Sequence, residues 1–335
     1  MRRLTLILSD LYLQEEALSG GVPQAQAMPA LAWLLRHAQG PHRTADWRRW
    51  LLQQIGGGLA EQRLAALCAG AAMSGQDPRS AWLATPVALE ARLDHVRLMD
   101  RGLLRLDAEE RLACRTEFNQ VFGPDYSLHD CGERAFALLG VAPLTAEVAD
   151  PARWLGAEIG PALPGADSSA LRRVWAEIEM WLHGSALNRA RERAGRRRIA
   201  ALWLWGGDRA DRPGPQGGGA AAEIHGGDPL MHGLRRLQQL APRDPPAAFA
   251  QLEAAPHVIA EFAALTGPAR ESLAALEANW FAPARDALAR GSLSLLEIIA
   301  NDRRFAVTPR ARWRFWRRRR DWLDSLAHSA TRPKA

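Results

Sequence analysis

Between Ala220 and Asp302 the chain alternates short apolar runs with amphipathic stretches: "AAAEIHG", "DPLMHGLRRLQQLA", "HVIAEFAAL", "GPARESLAALEANWFAPARDALARG" and "LSLLEIIAND". The short runs read as strands, and the stretches between them space apolar residues as a helix with one buried face requires. Such alternation predicts an α/β fold with a largely parallel central sheet and helices on both faces, because parallel neighbours need a crossover long enough to hold a helix. The opening "LTLILSD" fits as a buried first strand that delivers Asp10 to the carboxyl edge of the sheet. A carboxylate at the end of a buried strand is costly unless it is paired or hydrogen-bonded, which makes Asp10 a candidate site residue.

The first half of the chain reads less regularly. Helices are expected in "MPALAWLLRHAQG", "TADWRRWLLQQIG" and "AEQRLAALCAG", then a strand followed by a turn in "AWLATPVAL", where Pro86 disfavours a long helix. A helix over Asp107 to Val121 leads to two short strands with a turn around Gly132. The strongest helical pattern starts near Asp167-Ser168-Ser169 and is expected to end near Gly195. Leu171, Val174, Trp175, Ile178, Trp181, Leu182 and Ser185 form its apolar stripe.

Directly after it stands "IAALWLWGGD". Both faces of this run are apolar, so it is expected to be a central strand covered on each side. Gly206 and Gly207 then open the Gly/Pro-rich loop "DRADRPGPQGGG". In open α/β sheets ligands bind at the carboxyl ends of strands, where this loop is expected to begin. With no internal repeat, the chain reads as a single α/β domain over 1–330, with a smaller inserted subdomain around 100–165 and a disordered tail at 331–335.

Composition narrows the class. With 335 residues, 47% of them hydrophobic, the chain can bury a large core. No apolar segment approaches the roughly 18–20 residues that span a bilayer, and the first apolar run meets Asp10 too early for a secretory leader, so a cytoplasmic location is expected. The 3 cysteines, Cys68, Cys114 and Cys131, have no CxxC spacing and are expected to be buried apolar residues. Net charge is +6 and Lys334 is the only lysine. A basic balance carried almost wholly by arginine is weak evidence for a nucleic-acid partner.

One segment carries a family resemblance. "MWLHGSALNRARERAGRRRIAALWLWGGD" resembles the stretch of RpfE-type bacterial regulatory proteins in which an Asn-x-x-Arg-Glu helix leads into Leu-Trp-Leu-Trp-Gly. Cofactor-independent phosphoglycerate mutases of the archaeal type carry a more distant version. Echoes extend to "LILSDLYL", "PALAWLL", "ATPVALEARLDHVRL", "DPLMHGL", "LEANWFAPARDAL" and "RWRFWRR". The chain departs from the pattern at Ala186, Ala200 and Ala88, where relatives carry proline, asparagine and histidine. The resemblance implies an alkaline-phosphatase-like fold. In active members of that superfamily two divalent metals, held by clustered Asp and His, act with a Ser or Thr nucleophile. The strand that would precede the main Asp-x-x-x-His motif is "HVIAEFAAL", and beyond Glu261 it offers neither residue there.

The resemblance and the residues together mark Asp10, Asn188, Arg191, Trp203, Trp205 and Gly206 as ligand-binding candidates. Asp10, Asp228 and His232 are weak metal candidates, Asp228-Pro-Leu-Met-His232 having the right spacing in the wrong place, and Thr85 and Ser74 are loose nucleophile candidates. His183 reads as an interior histidine. The tail "RARWRFWRRRRDW" reads as a solvated basic face with its aromatics packed inward. The leading expectation is a regulatory or ligand-binding protein on a degenerate phosphoglycerate-mutase-like scaffold without an intact two-metal centre. It would need no cofactor and would take a small anionic ligand or a protein partner, with no membrane or nucleic acid. The alternatives are a phosphoglycerate mutase or phosphatase using Mn or Zn, and a nucleic-acid-binding protein working through the basic C-terminus.

Overall fold

A computed structural model describes residues 2–9, 28–43, 47–55, 64–69, 80–141, 144, 146, 148–162, 168–207, 222–241, 243–252, 255–263, 269–300, 303–314, 316–317, 322 and 325. The chain forms two compact units, one of Met1–Gly57, Gly217–Gly227 and Pro242–Lys334, the other of Gly58–Gln216 and Asp228–Ala241. The single domain expected over 1–330 therefore divides, and 100–165 belongs to a unit that starts well before it. Neither unit is one continuous stretch, so periodicity read along the chain cannot delimit them. Elements are numbered along the chain.

The first unit carries a 6-stranded sheet in the order β2 (Gln39–Arg43), β11 (Arg303–Val307), β10 (Leu293–Ala300), β1 (Arg2–Ser9), β9 (His257–Ala263), β8 (Glu223–His225). The strands from β10 to β8 are parallel, while β11 and β2 are antiparallel. Residues 301–302 alone join β10 to β11, and a link so short permits only an antiparallel return. No strand is expected from the sequence pattern at 39–43, 96–103 or 303–307.

Alternation sorts the residues of β1. Leu4, Leu6 and Leu8 join Val258, Ala260, Leu296, Ile298 and Ala300 in one apolar layer. This layer packs on α1 (Pro29–His37), α8 (Ala269–Leu276), a π-helical turn (Glu277–Phe281) and α9 (Ala282–Ala289). The carboxylate of Glu277 caps α1 by accepting from the amides of Ala30 at 2.5 Å and Leu31 at 3.1 Å, supplying acceptors that the first turn lacks. Thr5, Ile7 and Ser9 lie on the other face and are also buried. The unit further contains α2 (Trp47–Ile55), in which Trp47, Leu51 and Leu52 are buried.

The second unit is built on a 5-stranded sheet of β3 (Ser80–Ala91), β4 (Val96–Leu103), β5 (Tyr126–Asp130), β6 (Phe136–Gly140) and β7 (Ala201–Trp205). Every pairing in it is antiparallel, which corrects the expectation of one largely parallel sheet. A tight turn, closed by Arg92 N–H to His95 O at 2.8 Å, joins β3 to β4, and Gly132, at φ 112°, sits in the turn between β5 and β6. Its described helices are α3 (Leu64–Ala69), α4 (Ala108–Phe122), α5 (Ser169–Gly184), α6 (Ala186–Arg193) and α7 (Pro229–Leu237).

Three local expectations change here. The tryptophan strand β7 is buried along its whole length but pairs antiparallel with β3, from Leu83 opposite Trp205 to Val87 opposite Ala201. Apolar residues on both faces report burial and say nothing of the partner's direction. Pro86 does not end a strand. It lies within β3 where one edge changes partner from β6, last paired at Ala84, to β4, first paired at Val87, so its missing N–H costs no ladder bond. The long helix expected to reach Gly195 breaks at Ser185, whose hydroxyl accepts from Asn188 N–H at 3.1 Å and starts α6. At the other end Ser168 makes no side-chain cap bond. Among the described residues no helix is long and apolar enough to cross a membrane.

Candidate functional site

Strands β1, β9 and β8 run parallel, and their carboxyl ends bring together Ser9, Glu261 and Gly227. The Ser9 hydroxyl donates to one oxygen of Glu261, and the Gly227 amide donates to the other at 3.1 Å. The Ser9 oxygen also lies 3.3 Å from the Phe262 carbonyl. Alternation along β9 puts Glu261 on the face opposite Ala260, and the side chain is only 1% exposed. A carboxylate is tolerated at such depth because hydroxyl and amide donors converge on it. The result is an acceptor held in a set orientation at the edge where open α/β sheets bind ligands.

A second polar row crosses the same face of the sheet nearer the amino ends. Thr5 Oγ1 lies 3.1 Å from His257 Nε2 and donates to Glu297 Oε2 at 3.3 Å. Arg304 reaches Glu297 Oε1 at 2.8 Å, with Arg3 at 3.7 Å. Burial lowers the pKa of His257, Arg3 lowers it further, and Glu297 opposes both. None of Ser9, Glu261, Thr5, His257 or Glu297 was singled out from sequence as a site residue. The available signal was a polar residue recurring at alternate positions of otherwise apolar strands.

The residues that the sequence did single out are used differently. Asp10, Ser74 and the loop after Gly207 lie outside the described residues. Asn188 is buried, and its amide group donates to Leu182 O at 2.8 Å and Ile199 O at 2.9 Å while accepting from Ile199 N–H at 2.8 Å. This one side chain ties the end of α5 to the segment entering β7. Arg191 donates to Arg197 O at 2.7 Å and pairs with Glu110 at 2.6 Å, both partners being nearly buried. Glu110 also closes a capping box with Asp107 at the start of α4.

The Trp203 indole is fully buried, meets Trp175 edge-on at 5.3 Å and donates to Ala149 O at 3.0 Å. Trp205 donates to the Thr85 hydroxyl at 2.9 Å, which gives that nucleophile candidate a packing role. Gly206 adopts φ 62°, a conformation that favours glycine. A Cβ on Gly207 would meet ring carbons of Trp82 at 2.5 Å. The glycines after the tryptophans thus answer to backbone geometry and close packing. His183, expected inside, is exposed, because α5 turns that position away from its stripe.

The metal candidates do not form a centre with the other described residues. Asp228 accepts from Leu230 N–H at 2.9 Å and caps α7, which places His232 one turn further along that helix. Among the described residues no group of three or more His, Cys, Asp or Glu is close enough to hold a metal ion. At the carboxyl edge, both oxygens of Glu261 already accept hydrogen bonds. The three cysteines are free and buried, and burial raises the thiol pKa of Cys114 and of Cys131 to about 12.

No family model and no curated protein matches the chain. Among solved structures it is similar to a cofactor-independent phosphoglycerate mutase from Thermoplasma acidophilum. That match has 17% identity and a TM-score of 0.31, and covers 92% of this chain and 90% of the mutase. It is also similar to the PH0037 protein from Pyrococcus horikoshii, with 14% identity and a TM-score of 0.41 over 89% of this chain and 81% of that one. The chain is a mixed α/β protein with one sheet of mainly parallel strands, and its similarity to phosphoglycerate mutase is distant.

Proposed function

We propose that this chain is a regulatory, ligand-binding protein of the RpfE type, on a phosphoglycerate-mutase-like scaffold without an intact two-metal centre. Its ligand seats at the carboxyl edge of the parallel sheet, against Ser9, Glu261 and Gly227. The observation that carries this reading is Glu261, a buried strand carboxylate whose oxygens are taken by a hydroxyl and a main-chain amide. A group so held fixes the Ser9 hydroxyl and the Gly227 amide at the edge, and with them the local geometry that a ligand would meet. The sequence likeness to mutases makes phosphorylated carboxylic acids the first class to test, beginning with phosphoglycerate.

Purified protein equilibrated with Mn²⁺ and Zn²⁺ and freed of excess ion is expected to retain far less than one ion per chain. Near-stoichiometric retention would overturn the reading in favour of metal-dependent phosphoryl transfer with Asp10 among the ligands. A Glu261→Gln variant, which removes a negative charge and reverses one hydrogen bond at the edge, is expected to change the thermal shift produced by any phosphorylated acid that binds there. An unchanged shift removes the carboxyl edge as the seat.

A further inference from the structure

Two of the C-terminal aromatics, Trp313 and Trp316, depart from the expectation that they pack inward. After β11 the chain forms a 3-10 turn, Pro309–Trp313. Arg314 Nη1 then donates to His37 O at 2.9 Å, and Arg317 Nη1 donates to Arg36 O at 3.2 Å and Ala38 O at 2.6 Å. Arg36 Nε returns a bond to Arg317 O at 2.6 Å. The carbonyls reached lie at the end of α1, where a helix runs out of its own donors and favours a cation. With these guanidinium groups turned inward on α1, Trp313 and Trp316 face out, at 62% and 69% exposed, whereas Trp322 is buried.

Two large indoles three positions apart leave apolar surface in water that burial by a partner would recover. Arginines lie in the neighbourhood: Arg310 and Arg290 are exposed, and Arg285 is partly so while pairing with Asp286 at 3.0 Å. At the head of the same turn, Thr308 and Pro309 join Trp33, Arg285, Leu288 and Ala289 around a cavity of about 280 Å³.

We infer that this face of the first unit binds single-stranded nucleic acid. Trp313 and Trp316 stack on successive bases, the neighbouring arginines follow the phosphates, and the cavity beside Trp33 admits one further base. Stacking needs unpaired bases with free π-faces, so a duplex is disfavoured. The arginines that hold the turn to α1 keep their charge, and so contribute to the field felt by phosphates even while bonded to carbonyls.

The test uses the full chain and labelled oligo-dT and oligo-U of roughly 20 nucleotides, read by fluorescence anisotropy at low and raised salt. Binding is expected to be tighter than to a duplex of equal length and to weaken steeply with salt. The double variant Trp313→Ala/Trp316→Ala, with its fold checked by circular dichroism, is expected to bind roughly tenfold or more weakly. Leu93→Ala, an exposed apolar position in the other unit, is expected to leave binding unchanged and serves as the control. The inference is overturned if the wild-type chain binds neither oligonucleotide at low salt, or if the double variant binds as tightly as wild type. It is equally overturned if the tryptophans prove necessary for binding polyglutamate or anionic vesicles and not oligonucleotides.

Discussion

The end of β7 and the carboxyl edge of β1 and β9 each place polar groups at the end of a buried strand, and they use them in opposite ways. Around β7, rare residue types crowd into one short stretch of sequence, and the polar groups of Asn188, Arg191, Trp203 and Trp205 are spent holding elements of the same unit together. Asn188 ties α5 to the segment entering β7, Arg191 ties α6 to the capping box of α4, and the two indoles bond to Ala149 and Thr85. At the carboxyl edge the residue types are ordinary, a serine and a glutamate, yet they converge from separate strands on the edge proposed above as the ligand's seat. Density of unusual residues thus marked a packing joint, and the buried carboxylate stood in a strand that looked merely apolar.

If that contrast holds, substitutions near β7 cost stability and those at the edge change binding. The largest loss is expected for Trp203→Ala. It empties a fully buried site and should cost about 3–5 kcal/mol, measured as a lower denaturation midpoint at unchanged slope. Asn188→Leu leaves two carbonyls and an amide without their partner and should cost about 3 kcal/mol in the same assay. A loss within a few tenths would mean that water replaces the amide and that Asn188 is available to a ligand.

Gly207→Ala comes next, at about 1–3 kcal/mol, because the new methyl meets the Trp82 ring and one of them must move. Glu261→Gln keeps the shape and should cost about 1–2 kcal/mol, since one donor then faces an amide NH₂. Here the informative reading is the ratio of lost ligand affinity to lost stability. A stability loss with unaltered ligand binding would make the edge another packing joint and erase the contrast.

The smallest effect concerns pH. The pKa of His257 is lowered in the folded state by burial, so the unfolded chain takes up the proton first as pH falls. Its contribution is therefore complete above the ordinary histidine value of 6.5 and declines as pH drops below it towards the folded pKa. His37 and His129 are shifted the same way, chiefly by burial. His257→Asn should flatten this acid-side slope by its own share in denaturation curves between pH 5 and 7. An unchanged slope would show that His257 stays solvated.

Much of this was legible in the chain. Alternation of apolar runs with helical stretches located β1, β8, β9 and β10 and the helices between them, because each must bury a face whose period is written in the sequence. The inward stripe of α5, the burial of β7 and the hairpin around Gly132 followed from the same periodicity. The glycines at 206 and 207 were legible as turn residues, and the structure adds the reasons: Gly206 has φ 62°, and a Cβ on Gly207 would meet the Trp82 ring at 2.5 Å.

What the sequence alone could not decide is which strands pair and which side chains meet. An apolar strand carries the same pattern beside a parallel or an antiparallel neighbour, so placing β7 against β3 awaited the tertiary structure. The meeting of Ser9 with Glu261 spans more than two hundred residues of chain, and the direction of the C-terminal tryptophans turned on where two arginines found carbonyls at the end of α1. Local sequence sets the period and the caps because those forces act within a few residues. Pairing and side-chain convergence arise from contacts between distant segments, which only the folded chain brings within reach.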